Sequence, residues 1–226
     1  MPNPPRDRSR ARELAAEFNQ KNDPTGWFDA LYRESLTGST TIPWADLAPN
    51  PHLVDFWRAH PQTPASANSQ ALVIGCGLGD DAEQLSKWGF RTTAFDVSET
   101  AVRLAQERFA ESPVNFVKAN LLDPPPEWRA KFAFVFEAYT LQALPEQVRP
   151  RAATNVAKFV APAGHLLVVA RARDAAEPSG EMPWPLTRQE FFAFTQAGLH
   201  ELSFEDFVDD RETPPTRRFR AFYQRS

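Results

Sequence analysis

Residues 71–81 read ALVIGCGLGDD. A run of apolar residues from Ala71 gives way to glycines at 75, 77 and 79, and then to the paired carboxylates Asp80 and Asp81. A short apolar run closed by glycines predicts a buried strand that turns sharply into a helix, where the backbone presses against a ligand. Which ligand that is decides both the fold and the chemistry.

A dinucleotide is the first candidate. Its G-x-G-x-x-G fingerprint would place glycines at 75, 77 and 80. Position 80 is Asp80, and a carboxylate there repels a pyrophosphate seated at a helix N-terminus. A phosphate loop of the G-x-x-x-x-G-K-[ST] type is the second, and the chain contains no Gly-Lys-Ser or Gly-Lys-Thr. Two aspartates at a helix start suit the helix dipole but disfavour an anionic ligand. The third candidate has no phosphate and a positive centre. S-adenosylmethionine fits: adenosine joined through a sulfonium to a zwitterionic amino acid. In AFDVS (94–98), Asp96 stands at the next strand end, where a carboxylate can accept both ribose hydroxyls.

The bulk numbers bound the rest. The chain has 226 residues, 42% hydrophobic and 24% charged, enough for one sizeable domain or a domain with an appendage. A net charge of −4 supplies no basic field for nucleic acid or an anionic membrane. No apolar run approaches a membrane span, and the first residues lack the apolar core of a secretory signal. The single cysteine, Cys76, leaves no internal disulfide, so the expected location is cytoplasmic. The histidines are scattered without metal-ligand spacing, so no metal is expected.

From residue 71 onward, strand patterns alternate with helical ones. Strands are expected at 71–75, 90–97, 114–119, 131–139 and 164–172. Helices are expected at 81–89, from Ser98 to 111, near 145–160 and over 187–198, the last with Thr187 and Glu190 in capping-box spacing. Two alternating segments, 199–210 and 216–224, suit an antiparallel hairpin. This order implies an α/β fold, a mostly parallel sheet with helices on both faces. Before it, three amphipathic helical segments (8–21, 26–35, 51–60) suggest a helical cap over 1–70. Residues 1–8 read as disordered and 61–70 as a Pro/Ser linker.

The motifs together resemble the class I S-adenosylmethionine-dependent methyltransferases over residues 71–226. The resemblance rests on VIGCGLGDD, AFDVS, VKANLLD (117–123) and VFEAYTLQALP (135–145), occurring in the family's order. GCGLGDDAEQL, with GWFDALY (26–32) and TTIPWADLAP (40–49), is similar to the small-molecule branch of thiopurine and halide/thiol methyltransferases. This implies a Rossmann-like seven-stranded sheet, a C-terminal antiparallel hairpin, S-adenosylmethionine as cofactor and a small-molecule methyl acceptor.

The resemblance also assigns residues. Gly75, Gly77 and Gly79 would line the methionine part and Asp96 the ribose. Asn120 would face the adenine amino group, and Asp81 closes the glycine motif. Cys76, Val97 and Leu121 complete that set as their neighbours. Trp27 and Trp44 could close over the cofactor, where a π face favours a cation. Glu137 ends strand four near the cofactor's amino end and, with Tyr139, is the catalytic candidate. Tyr139, Arg171 and Trp184 are the substrate candidates. Thiopurine methyltransferases commonly carry Asp-Arg after strand four, and this chain has Glu137-Ala138. DPPPEW (123–128) follows strand three, out of register for an amino-methylating motif, which argues against nucleic-acid bases as acceptors.

A sulfonium donor needs mainly alignment. Thiolates and halides need no general base, whereas hydroxyls do, and Glu137 or Asp174 would then serve. Detoxifying thiol, halide or metalloid methylation and natural-product O- or N-methylation both remain open. So does a cofactor-binding protein without catalysis, while Asp80 disfavours an NAD enzyme.

Overall fold

A computed structural model describes residues 7–60 and 69–226. The disordered start expected at 1–8 and the linker at 61–70 fall largely outside the described residues. The first helices are α1 (Ser9–Gln20), α2 (Gly26–Leu36) and α3 (Pro51–Ala59). Then follow β1 (Gln70–Ile74), α4 (Asp80–Lys87), β2 (Arg91–Asp96), α5 (Glu99–Arg108) and β3 (Asn115–Lys118). The remainder is β4 (Phe132–Ala138), α6 (Arg149–Phe159), β5 (Val160–Arg171), α7 (Phe192–Gln196), β6 (Leu199–Asp209) and β7 (Thr216–Arg225).

The seven strands form one sheet in the order β3-β2-β1-β4-β5-β7-β6. β1 to β5 run parallel, and β7 inserts antiparallel between β5 and β6. This is the mixed architecture the sequence implies. Alternation divides the sheet into two cores. Leu72 and Ile74 of β1 face the layer of α6 and α7, with Val156, Phe159, Phe191 and Phe194. Ala71 and Val73 face α3, α4 and α5, with Leu53, Phe56, Leu85 and Val102. Most of these side chains are less than 5% exposed, which makes both faces apolar burial of the kind that drives folding.

Two elements depart from expectation. The helix expected over 187–198 splits into a 3₁₀ turn, Arg188–Phe191, and the short α7. The capping box tightens that first turn, with the Thr187 amide donating to Glu190 Oε2 at 2.8 Å. β5 begins at Val160 instead of residue 164, because Val160 already pairs with Phe132 ahead of a register shift. A Cβ at Gly164 would lie 2.9 Å from the Phe132 carbonyl oxygen, so only glycine allows that approach.

Strand order reverses between the neighbouring parallel strands β1 and β4, with β2 and β3 added on one side and β5 on the other. In open α/β sheets this switch point opens a crevice beyond the strands' carboxyl ends. The N-terminal helices are anchored beside that edge by a third apolar cluster. Leu14, Trp27 and Leu31 pack there with Ala143 and Met182 from the loops that follow β4 and β5.

Candidate functional site

A cavity of about 640 Å³ opens over the switch point. One half of its wall is the glycine loop. Gly75 and Gly77 take left-handed φ angles of 59° and 53°, which side-chain-bearing residues rarely adopt. A Cβ on Gly75 would come 2.2 Å from Thr140 Oγ1, and one on Gly77 would come 3.0 Å from the Tyr32 hydroxyl. The loop therefore fits tightly between the end of β4 and the N-terminal helices.

Asp96 ends β2 beside this loop. Its Oδ2 accepts from the Gly77 amide at 3.0 Å and its Oδ1 from the Ser98 amide at 2.9 Å. A carboxylate offers about four lone-pair sites, so each oxygen keeps one for a ligand hydroxyl. Burial pushes its pKa up to about 6 against these backbone hydrogen bonds. Ser98 caps α5, accepting from the Ala101 amide at 3.0 Å. Asp29 of α2 accepts from the Ser98 hydroxyl at 2.8 Å and from the Thr100 amide at 3.0 Å, tying α2 to the start of α5.

The aspartates that follow the glycines divide their tasks. Asp80 pairs with Arg108, with Oδ1 2.6 Å from Nη2. Asp81 lines the cavity, and its Oδ1 accepts from the Asn50 amide at 2.6 Å. Desolvation pushes Asp81 up to about 7. Over the loop lie the aromatic side chains Phe28, Tyr32 and Trp44. The Trp44 indole donates to the Tyr32 hydroxyl at 2.8 Å and stands edge-on to both Phe28 and Tyr32.

The other half of the wall lies beyond β4 and β5. Tyr139 takes φ 67° directly after β4, an outlier for a bulky residue. The Arg218 guanidinium sits 4.9 Å from its ring centroid. Burial pushes the phenol up to about 12, against the pull of Arg218 and a hydrogen bond with Asn50. Arg218 is 3% exposed. It donates to Asp209 Oδ2 at 3.0 Å and to Glu212 Oε1 at 2.6 Å. His52 Nε2 lies 2.9 Å from Asp209 Oδ2, and Arg211 Nη2 lies 2.9 Å from His52 Nδ1. An arginine can only donate, so Nδ1 accepts and Nε2 carries the proton toward Asp209. Burial and then Arg218 push His52 down to about 4, so the ring is neutral. Burial alone would raise Asp209. Hydrogen bonds from Arg211 and Arg218 outweigh it and hold the carboxyl well below its usual range.

Gly75, Cys76, Gly77, Asp81, Asp96, Val97, Asn120, Leu121 and Trp44 line the cavity, as do Tyr139 and Arg171. Asn120 is partly engaged, its Oδ1 accepting from the Leu122 amide at 2.9 Å. Five expected residues are not on the wall, among them Asp174, which is exposed and pairs with Arg217 at 3.0 Å. Gly79 caps α4, and a Cβ there would meet the Phe116 ring at 2.9 Å. Trp27 is fully buried, stacked on Phe28 at 3.8 Å, so its neighbour Phe28 takes the wall position. Trp184 packs beside the Arg149 guanidinium, 5.4 Å away. Glu137 is 0% exposed, and its Oε1 accepts from the Thr140 and Leu141 amides at 2.8 and 2.9 Å, holding the turn after β4 from beneath.

Sequence reasoning missed Phe28, Tyr32, His52, Gln142, Asp209, Glu212 and Arg218 on the wall. Phe28 and Tyr32 share one helical face at i, i+4 spacing, which was a usable signal. His52, Asp209, Glu212 and Arg218 meet only through the β6–β7 hairpin, and Gln142 lies in the turn after β4.

Residues 71–164 match the family model of a methyltransferase domain. The chain is 27% identical to a probable thiol methyltransferase of Arabidopsis thaliana over 188 residues, covering 80% of this chain and 76% of that protein. It is also 27% identical to a thiocyanate methyltransferase of the same plant, covering 70% of this chain and 66% of that one. Among solved structures, an N-methyltransferase from Bradyrhizobium japonicum in complex with S-adenosylhomocysteine aligns with a TM-score of 0.64 at 21% identity, covering 86% of this chain and 98% of that one. A 1,6-didemethyltoxoflavin N1-methyltransferase from Burkholderia thailandensis, with its substrate and S-adenosylhomocysteine bound, aligns with a TM-score of 0.66 at 16% identity, covering 95% and 90%.

Proposed function

We propose that the chain, a class I S-adenosylmethionine-dependent methyltransferase resembling the thiol methyltransferases, acts on a small molecule and methylates it on a sulfur that is already ionised when it attacks. One observation carries this reading: the ionisable side chains around Tyr139 are committed elsewhere. Asp209 accepts from His52, Arg211 and Arg218. Glu212 accepts from Arg171, Thr216 and Arg218. Both His52 nitrogens are engaged, and the Tyr139 phenol keeps its proton until about pH 12. An acceptor that sheds its own proton to solvent needs none of them. The relatives named for thiol and thiocyanate methylation support the same reading.

The residues on the wall fit the cofactor. Asp96 has two lone-pair sites left for the two ribose hydroxyls. The bare backbone at Gly75 and Gly77 leaves room for the methionine portion, with Asp81 facing its ammonium. Phe28, Tyr32 and Trp44 line the wall beside it, where aromatic rings favour a cation and exclude water. When bound, the cofactor would supply an electrophilic methyl group to the acceptor's sulfur and would leave as a neutral thioether that keeps the electron pair of the broken sulfonium–methyl bond. This chain's residues contribute alignment, the largest lever for such a displacement.

A second reading, an oxygen or nitrogen acceptor that must lose a proton to the protein, rests on Asp81, a cavity carboxylate that titrates near neutrality. Labelled-methyl transfer to thiols, thiocyanate, iodide, phenols and amines separates the two. The expected result is turnover on sulfur, with a pH profile that follows the acceptor's own thiol pKa. Turnover confined to phenols or amines would overturn the sulfur assignment.

A further inference from the structure

Two side chains on the acceptor half of the cavity have hydrogen-bonding capacity that the fold leaves unused. Gln142 is 3% exposed and lines the cavity. Its Oε1 accepts from the Arg171 amide at 2.7 Å, and its Nε2 donates to none of the described residues. Arg171, at the end of β5, has one charged partner among the described residues, with Nη2 3.2 Å from Glu212 Oε2. Glu212 makes its shorter contacts elsewhere, to Arg218 at 2.6 Å and to the Thr216 hydroxyl at 2.9 Å. Arg218 also holds Asp209 and stacks on Tyr139. The fold therefore neutralises Arg218 and leaves Arg171 under-paired, beside a side-chain amide with free donors.

An arginine fork beside an amide N–H is suited to a carboxylate, whose two oxygens it meets with parallel hydrogen bonds. We propose that the methyl acceptor carries a carboxylate, seated on Arg171 and Gln142, on the same molecule as the sulfur that attacks. The proposal rests on the methyl-transfer reading above and names its substrate class: a small mercapto acid. β5 lies two strands from β1, so the carboxylate site stands roughly 10 Å from the glycine loop. A short carbon frame spans that gap. Thiocyanate and iodide, which have one reacting centre and no second group, cannot engage both ends. Burial lowers the pKa of Arg171, against the pull of Glu212, and a bound carboxylate would relieve that cost.

The test compares 3-mercaptopropionate with its methyl ester, with thiocyanate as the single-centre control. In the unmodified protein, kcat/KM for the acid is expected to exceed that for the ester by about tenfold or more. Arg171→Gln brings the ratio of kcat/KM for acid over ester down to about one. Gln142→Met, which keeps volume and removes the amide, lowers the acid's preference and serves if the first variant folds poorly. Equal kcat/KM for acid and ester in the unmodified protein, or a preference that survives both variants, overturns the proposal. If no thiol is methylated, the sulfur reading fails separately. Calorimetry on protein loaded with S-adenosylhomocysteine then decides the carboxylate site: tighter binding of acid than ester supports it, and equal binding overturns it.

Discussion

Arg171 and Arg218 stand directly opposite each other in the antiparallel β5–β7 ladder. Like charges facing across a ladder are destabilising, and among the described residues Glu212 alone bridges this pair, 2.6 Å from Arg218 and 3.2 Å from Arg171. The two positions thus differ in kind. Arg218 is a structural cation enclosed by carboxylates, and Arg171 is a cation facing the cavity.

Stability measurements should resolve that difference. Arg218→Met removes the buried cation that donates to Asp209 and Glu212, leaving Asp209 with Arg211 and the neutral His52, and is expected to cost about 3 kcal/mol. Arg171→Met, which leaves Glu212 two other partners, should cost no more than about 1 kcal/mol. Urea unfolding of both variants checks this, and equal losses would contradict the asymmetry.

Asp96→Ala removes the two free acceptor sites on the cavity wall. Affinity for S-adenosylhomocysteine should fall about 10- to 100-fold, the worth of one or two charge-assisted hydrogen bonds. Calorimetry reads the change directly. An affinity within twofold of the unmodified protein would remove Asp96 from the ribose role.

The pH dependence of cofactor binding has a definite sign. In the proposed ribose role Asp96 acts as a carboxylate, and burial raises its pKa to about 6. Binding should be level above pH 7 and weaken by up to about tenfold per unit as pH falls below 6, because protons then compete for the same oxygens. A flat affinity between pH 5 and 8 would show that Asp96 is not the group engaged.

Glu137→Gln separates a turn-holding role from a catalytic one. Burial raises Glu137 to about 7, and its Oε2 has no hydrogen-bond partner. A carboxyl whose folded pKa is raised stabilises the fold fully below its unfolded value of 4.5, and that contribution fades as pH rises through about 7. The glutamine keeps an oxygen for the Thr140 and Leu141 amides and carries no charge. The variant should match the unmodified protein at pH 4.5, exceed it by roughly 1–3 kcal/mol at pH 8.5, and retain methyl transfer. A large loss of turnover with intact stability would instead restore Glu137 as a catalytic residue.

The sheet and the cofactor half of the site were legible because their signals are local. ALVIGCGLGDD and AFDVS each end a strand, and the switch point brings those two ends together. The errors lie where the side chain's direction decides the outcome. Trp27 and Phe28 are both plausible on an amphipathic helix, and one residue of rotation puts Phe28 on the cavity and Trp27 in the core. Glu137 lies in a strand buried on both faces, so alternation could not say which way it points. On the acceptor half only Tyr139 and Arg171, which end β4 and β5, were legible. His52 and Asp209 are far apart in sequence and meet only when the hairpin register places Asp209 opposite Thr216. No short-range pattern encodes that meeting.

The hydrogen bonds from Ser98 and Thr100 to Asp29 carry a consequence for engineering. The turn that presents Asp96 is the turn that Asp29 grips, so the N-terminal helices and the cavity edge at Asp96 form one mechanical unit. Grafting a foreign cap onto residues 71–226 would leave the Ser98 hydroxyl and the start of α5 without their anchor, even if every cavity-facing aromatic were copied. A transplant that is meant to alter acceptor choice should carry Asp29 and Ser98 together.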